Sequence, residues 1–345
     1  MLNKLKSAPV ALFLLAPLVG EFFLGDFPVV LMPLILVLAP WYGAGALLIR
    51  EIARRRGGGW PAIVLLALAW AIAGEGLLGQ SLFNPDYADQ NLLSKAYIAQ
   101  FGMGAVWTAF VLGIHVVWSI CLPIAIVELG MTRPHRAMLG RRSAALCVLL
   151  LVVGAVITWN TAYRAWGEFA ASTYQLFGAG VAVLVLVAVA LVLPRRRRDR
   201  VAKAPSERLV LSLALVGGGA FVAAVWLPSE LSLIIMSIAA IGALGLATVW
   251  SRAVWTGRQT LALIAALLLT YGWTAPIRMW GTQTVDHLLA TVSAVLYLGA
   301  ELLLVRALGR RVRSRSMSAE ETAVVARPVS IAARGSAEDG LDGER

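Results

Sequence analysis

The chain has 345 residues, 59% of them hydrophobic and only 14% charged, with a formal net charge of +11 and a mean hydropathy of +0.79. A soluble domain carries about a quarter charged residues, so an ordinary soluble fold is excluded. The basic residues stand in short clusters between apolar runs, not in a folded polar module. That excludes nucleic-acid binding and makes the lipid bilayer the expected partner, with anionic headgroups at the basic clusters.

Apolar runs of about twenty residues cross ~30 Å of hydrocarbon as helices. Ten such spans are predicted, at 8–25, 29–50, 60–82, 102–127, 143–163, 174–194, 209–227, 230–250, 259–277 and 285–307. The expected fold is all-α, a polytopic plasma-membrane protein with a transmembrane domain over 1–308. Residues 309–345, basic and then rich in Ala, Glu, Ser and Gly, read as a disordered cytoplasmic tail. With the N-terminus inside, Arg50 and Arg54–Arg56, Arg133–Arg142, Arg195–Arg198, Arg252 with Arg258, and Arg306–Arg311 all fall on the cytoplasmic side. That alternation places both termini in the cytoplasm.

In the first span Lys4 and Lys6 precede the apolar run, but Val19-Gly20-Glu21-Phe22 is no small-residue cleavage site, so a retained helix is expected. Pro17, Glu21 and Gly25 share one face, and Pro17 leaves the Phe13 carbonyl without its helical donor. In the second span Arg50-Glu51 and Arg54 read as a solvated helix end. Trp41, Trp60, Trp226, Trp250, Trp255 and Trp280 read as interfacial anchors.

The third span carries Ala67, Ala71, Glu75 and Gly79 at four-residue spacing, on one helix face. Small residues let a neighbouring helix approach closely, so Glu75 is expected to face the bundle. About 22 Å of rise from Trp60 puts it in the outer third of the membrane. Glu21 lies at a similar depth, where it either shares a polar cavity with Glu75 or meets water at the membrane edge. Gln80 follows, and then Asn84-Pro85-Asp86-Tyr87, a strong turn signal, opens the outer loop Ser81–Phe101. In the fourth span His115 sits near the midplane, with Ser119 one turn on. A direct bond to Glu75 from that depth needs helix tilt or a bridging water.

Asn160, in the fifth span, adds a further donor toward the outer side. Glu21, Gln80, Ser119 and Asn160 are therefore the expected lining of a substrate or proton path, with Glu75 and His115 as candidate catalytic groups. Cys121 and Cys147 read as small apolar packing residues. The later spans are nearly bare of ionisable groups until Asp286-His287 and Glu301, and Glu301 can reach Arg306 only by snorkelling. No metal site and no cofactor motif is present in the sequence; it has neither a nucleotide-binding glycine loop nor a nucleophile elbow.

Gly74-Glu75-Gly76-Leu77-Leu78-Gly79-Gln80 and Phe110-Val111-Leu112-Gly113-Ile114-His115 resemble two motifs of the CAAX-protease and bacteriocin-processing intramembrane protease family. The family's Glu-Glu-x-x-x-Arg is represented by one glutamate with Gly79 or Gln80 at the arginine position. Its Phe-x-x-x-His has one extra residue here, and no histidine falls in span five or six for the third motif. The resemblance covers about forty residues. It implies an intramembrane peptidase acting on a peptide or lipid-linked substrate, with Glu75 as base and His115 stabilising an oxyanion. A proton-coupled carrier using Glu21, Glu75 and His115, or a non-catalytic membrane scaffold, are the alternatives.

Overall fold

The computed structural model describes residues 2–193, 202–281 and 286–325; the basic run Arg195–Arg198 and the last part of the expected tail lie outside the described residues. The first helix, α1 (Leu2–Pro17), runs into a widened π-helical turn at Leu18–Phe22. It is followed by α2 (Ile35–Arg56) and by α3 (Gly59–Ile72), which enters a second π-turn at Ala73–Leu78. Next come α4 (Ala105–Ile114), a third π-turn at His115–Cys121, and α5 (Leu122–Gly130), all one continuous rod. The remaining helices are α6 (Arg141–Ala165), α7 (Thr173–Val192), α8 (Glu207–Ala223), α9 (Ser229–Val249), α10 (Gly257–Gly281) and α11 (His287–Val325).

Among the described residues, nine helical stretches are long and apolar enough to cross a membrane. The multi-pass, all-α architecture read from the sequence is therefore observed. These nine coincide with expected spans two to ten, whereas the first expected span is a shorter apolar helix, Ala8–Phe22.

The helices pack around two apolar clusters. One joins α1, α2, α3, α6 and α7 through Leu12, Trp41, Leu47, Ile63, Trp70 and Cys147. The other joins the end of α1 to α8, α9, α10 and α11 through Phe22, Val222, Met236, Leu268 and Tyr297. The α4–α5 rod contributes to both, with Ile120 and Ile124 in the first and Phe110, Ile114 and Trp118 in the second. It is the central post, with 67% of its most apolar window buried, against 11% for α6, α7 and α9. Between membrane helices close packing replaces hydrophobic burial as the driving force, and small residues make it possible. At Gly43 a Cβ would lie 2.1 Å from the Phe13 carbonyl oxygen. This is the carbonyl that Pro17 deprives of its donor, so only glycine lets α2 lie against α1 here.

Charged side chains near the helix ends and in the loops pair with one another. At one end Arg50 Nε lies 3.0 Å from Glu128, and Arg54 Nε donates to the same carboxylate at 2.8 Å. Glu51 accepts from Arg55 Nε at 2.7 Å and from the Met138 backbone N–H at 2.9 Å. Arg50 is fully buried, which corrects the reading of Arg50-Glu51-Arg54 as a solvated helix end. Carbonyls of the loop after α5 draw these cations inward, with Arg50 donating to Pro134 and Arg136 and Arg55 to Leu139. At the other end Arg278 binds Asp26, and Lys95 Nζ donates to the carbonyls of Val225 and Leu227 at 2.6 and 2.8 Å.

Helix α11 continues past Gly309 to Val325, so residues 309–325 differ from the expected disordered tail. Arg315 accounts for part of this, donating to the Leu129 and Gly130 carbonyls at 2.8 and 2.9 Å. Val312 is buried against the same end of the bundle.

Candidate functional site

Each of the three π-turns carries one of the ionisable residues singled out from the sequence: Glu21 in Leu18–Phe22, Glu75 in Ala73–Leu78, His115 in His115–Cys121. Such widened turns occur mostly as single insertions in α-helices and often at functional sites. Their extra residue rotates the following side chains relative to the helix below. In α3 the buried small residues Ala67 and Ala71 lead up to the shift, and the Gly79 N–H then reaches back five residues to the Gly74 carbonyl at 2.7 Å.

The three side chains meet. His115 Nε2 lies 3.0 Å from Glu75 Oε1, so the contact is direct and no bridging water is required. The Tyr42 hydroxyl, from α2, donates to Glu21 and lies 3.4 Å from the same His115 nitrogen. Tyr42's one proton is committed to Glu21, which assigns the Nε2 proton to His115, where it donates to Glu75. On the far side of Glu75, Ser81 Oγ donates to its other carboxylate oxygen, and Trp107 Nε1 donates to Ser81 Oγ at 3.3 Å. The result is one chain of polar groups, Glu21–Tyr42–His115–Glu75–Ser81–Trp107, drawn from four helices and the start of the outer loop.

Aromatic rings wall this chain. Trp41 stacks on Trp70 with centroids 5.1 Å apart, and Trp70 packs on Tyr42 at 5.2 Å and His115 at 5.7 Å. Trp41 is buried and so is not the interfacial anchor expected of it; Trp60, Trp226 and Trp280 are exposed. Two buried polar atoms in the third π-turn, His115 Nδ1 and Ser119 Oγ, have no hydrogen-bond partner among the described residues. A buried polar atom left unpaired in a native fold calls for an explanation, and a water or ligand atom is a common one. Ser119 sits against Gly20 and Tyr42, since a Cβ on Gly20 would lie 2.7 Å from Ser119 Oγ and 3.3 Å from the Tyr42 ring.

Gln80 and Asn160 do not join the cluster. Gln80 Oε1 accepts from the Ala171 N–H at 2.6 Å and so pins the connection between α6 and α7 beside the outer loop. Asn160 is exposed on α6, a helix that buries little of its surface. The outer loop is fastened over this end of the bundle by Asn84 Nδ2 donating to the Trp166 carbonyl at 3.2 Å and by the Tyr87–Trp166 ring contact at 5.5 Å. Burial, with Glu75 and Glu21 nearby, raises the Tyr87 phenol above its ordinary value, so it remains a neutral donor beside the carboxylates. A hollow of about 330 Å³ in the loop is lined by Phe83, Pro85, Asn91, Leu93, Ser94 and Tyr97, and none of the ionisable residues of the cluster faces it.

Tyr42, Trp70 and Ser81 were not anticipated. The signal for Tyr42 lies in its setting, Trp41-Tyr42-Gly43-Ala44-Gly45, where small neighbours allow α1 and α3 to close on it. Among the described residues no three His, Cys, Asp or Glu side chains converge as a metal-binding group. The chain matches no protein-family model, no curated protein and no solved structure.

Proposed function

We propose that the protein is an intramembrane hydrolase, with a peptide bond as the favoured target, whose acid–base centre is the Glu75–His115 pair. One observation carries this reading: a buried imidazole with one nitrogen held by a carboxylate at 3.0 Å and the other, Nδ1, unpaired among the described residues. A carboxylate that fixes the tautomer through one ring nitrogen leaves the other as the base. His115 Nδ1 then takes a proton from water as the oxygen attacks the scissile carbonyl carbon. The same proton passes to the leaving amine as the C–N bond breaks. These roles reverse those implied by the family resemblance, with Glu75 orienting and His115 acting as base. Ser119 Oγ, one turn along, supplies a hydrogen bond to the attacking water or the developing oxyanion.

In the membrane the protein is read as ten spans with both termini in the cytoplasm. The α1 helix, lengthened by its π-turn, is the tenth crossing, and the plasma membrane is the expected location. The exposed Arg55, Arg56, Arg133, Arg136, Arg141 and Arg142 then meet anionic headgroups.

The test compares protein N-termini in membranes containing the wild type, Glu75→Gln or His115→Ala. The proposal requires new N-termini that depend on both residues. Their persistence in either variant, once folding is verified, would sink it.

The continuity from Glu21 to Glu75 favours a second reading, a proton relay serving a carrier. Tyr42→Phe separates the two. It removes the hydroxyl that links Glu21 to His115, abolishing a relay, while the Glu75–His115 pair of a hydrolase is left intact.

A further inference from the structure

The second half of the chain, nearly bare of ionisable groups, nonetheless buries one carboxyl group completely. Glu301, on α11, is 1% exposed, and neither of its carboxyl oxygens has a hydrogen-bond partner among the described residues. The expected partner Arg306 is exposed and does not pair with it. A carboxylate without counter-charge at membrane depth is costly and is as a rule functional.

The surroundings are shaped to admit this group. It projects onto Gly272 of α10, where a Cβ would lie 2.8 Å from Glu301 Oε2. Four residues on, Pro276 has no N–H to give the Gly272 carbonyl, which leaves an acceptor at the same level of α10. Tyr271, the residue before Gly272 on α10, is buried, and its hydroxyl has no hydrogen-bond partner among the described residues.

The other titratable and charged groups on the elements packed here are spent or turned away. On α10, Arg258 pairs with Glu207 and Arg278 with Asp26. On α5, Glu128 is held by Arg50 and Arg54. Glu21, at the end of α1, is bonded to Tyr42, and Tyr297 on α11 donates to the Phe27 carbonyl. The 3-10 segment Val29–Leu34 packed on α11 carries none. Thr270 and Thr274 give their hydroxyl protons to carbonyls one turn back on α10.

We propose that Glu301 is a proton-exchange site in the groove between α10 and α11, separate from the Glu75–His115 cluster. A proton, not a metal cation, is the occupant, because a hard cation takes about six oxygen ligands and, among the described residues, the carboxyl group has only the Gly272 level of α10 with its freed carbonyl against it. The site is joined to the first. Tyr271 stacks on Trp118 with ring centroids 5.1 Å apart and planes 16° from parallel, and Trp118 shares a π-turn with His115 and Ser119. Gain or loss of the proton at Glu301 therefore bears on the helix that carries His115.

Infrared difference spectroscopy of the full-length protein in lipid vesicles, stepped from acidic to alkaline pH, tests this. The expected result is a carboxylic-acid carbonyl band that is lost as pH rises, is absent from Glu301→Gln and persists in Glu75→Gln and Glu21→Gln. Glu301→Asp keeps the carboxyl group and must shift that band, which covers the case in which the glutamine variant does not fold. A band unchanged by either substitution overturns the proposal. A Glu301 band that persists at every pH also overturns it, since the group then never releases its proton. Loss of the band on adding sodium at fixed pH overturns the choice of a proton.

Discussion

His115 Nε2 touches Glu75 Oε1 at 3.0 Å, although straight helices would leave these residues at different depths. Both stand in π-turns, whose wider winding lowers the rise per residue and rotates the side chains that follow. The contact is therefore made by two local departures from α-helix, with Tyr42 bracing His115 from a third helix.

If the two residues act as a unit, their substitutions will not add. Glu75→Gln and His115→Ala should each lower thermal stability in detergent. The double variant should be no worse than the more damaging single one, with a coupling of about 0.5–3 kcal/mol. Simple additivity in such a cycle would mean that the pair is not formed in the folded protein.

Much of the cluster was legible because membrane interiors tolerate so few ionisable groups. Glu21, Glu75 and His115 stand out of apolar runs, and the Ala67–Ala71 track showed which face of α3 turns inward. The sequence could not show the π-turns, which depend on tertiary packing more than on residue type, and so it could not show that His115 reaches Glu75. Trp41 escaped because a tryptophan in a membrane protein is most simply read as an interfacial anchor, and Tyr42 because a tyrosine within an apolar span does not stand out as a carboxylate does. Asn160 misled in the opposite sense. A polar residue near the outer end of a span needs no partner there, and α6 presents it outward. Glu128 and Arg50 were obscured because helix-end charges on a chain of this kind look solvated until the 131–140 loop is seen folded over them.

Gly20 tests how tightly the walls of the site are set. A methyl group there would stand 2.7 Å from Ser119 Oγ, so Gly20→Ala should cost about 1–3 kcal/mol by overpacking. Adding Ser119→Ala removes the nearest atom and should recover most of that loss. A Gly20→Ala protein as stable as wild type would show that α1 does not close on the third π-turn.

Lys95 anchors the outer loop to the turn between α8 and α9 through two carbonyls. Lys95→Met keeps the length of the side chain but cannot donate. Limited proteolysis from the outer face should then cut within Ser81–Phe101 several-fold faster than in the wild type, because local opening exposes the chain. An unchanged rate would assign the loop's hold to Asn84 and Tyr87 alone.

At the opposite end Glu128 is the carboxylate shared by Arg50 and Arg54. Arg50 is fully buried and Arg54 nearly so. Glu128→Gln leaves two buried guanidinium groups facing a neutral amide, and breaking a buried pair from one side costs about 3–5 kcal/mol. Arg55→Ala provides the contrast. Its side chain is 48% exposed where it meets Glu51, and the buried Glu51 keeps the N–H groups of Met138 and Leu139, so loss of Arg55 should cost only about 0–1 kcal/mol. Thermal unfolding of the two variants should therefore separate widely, with Glu128→Gln far below wild type and Arg55→Ala close to it. Equal, small losses would mean that water reaches Arg50 and that the 131–140 loop does not seal this end of the bundle.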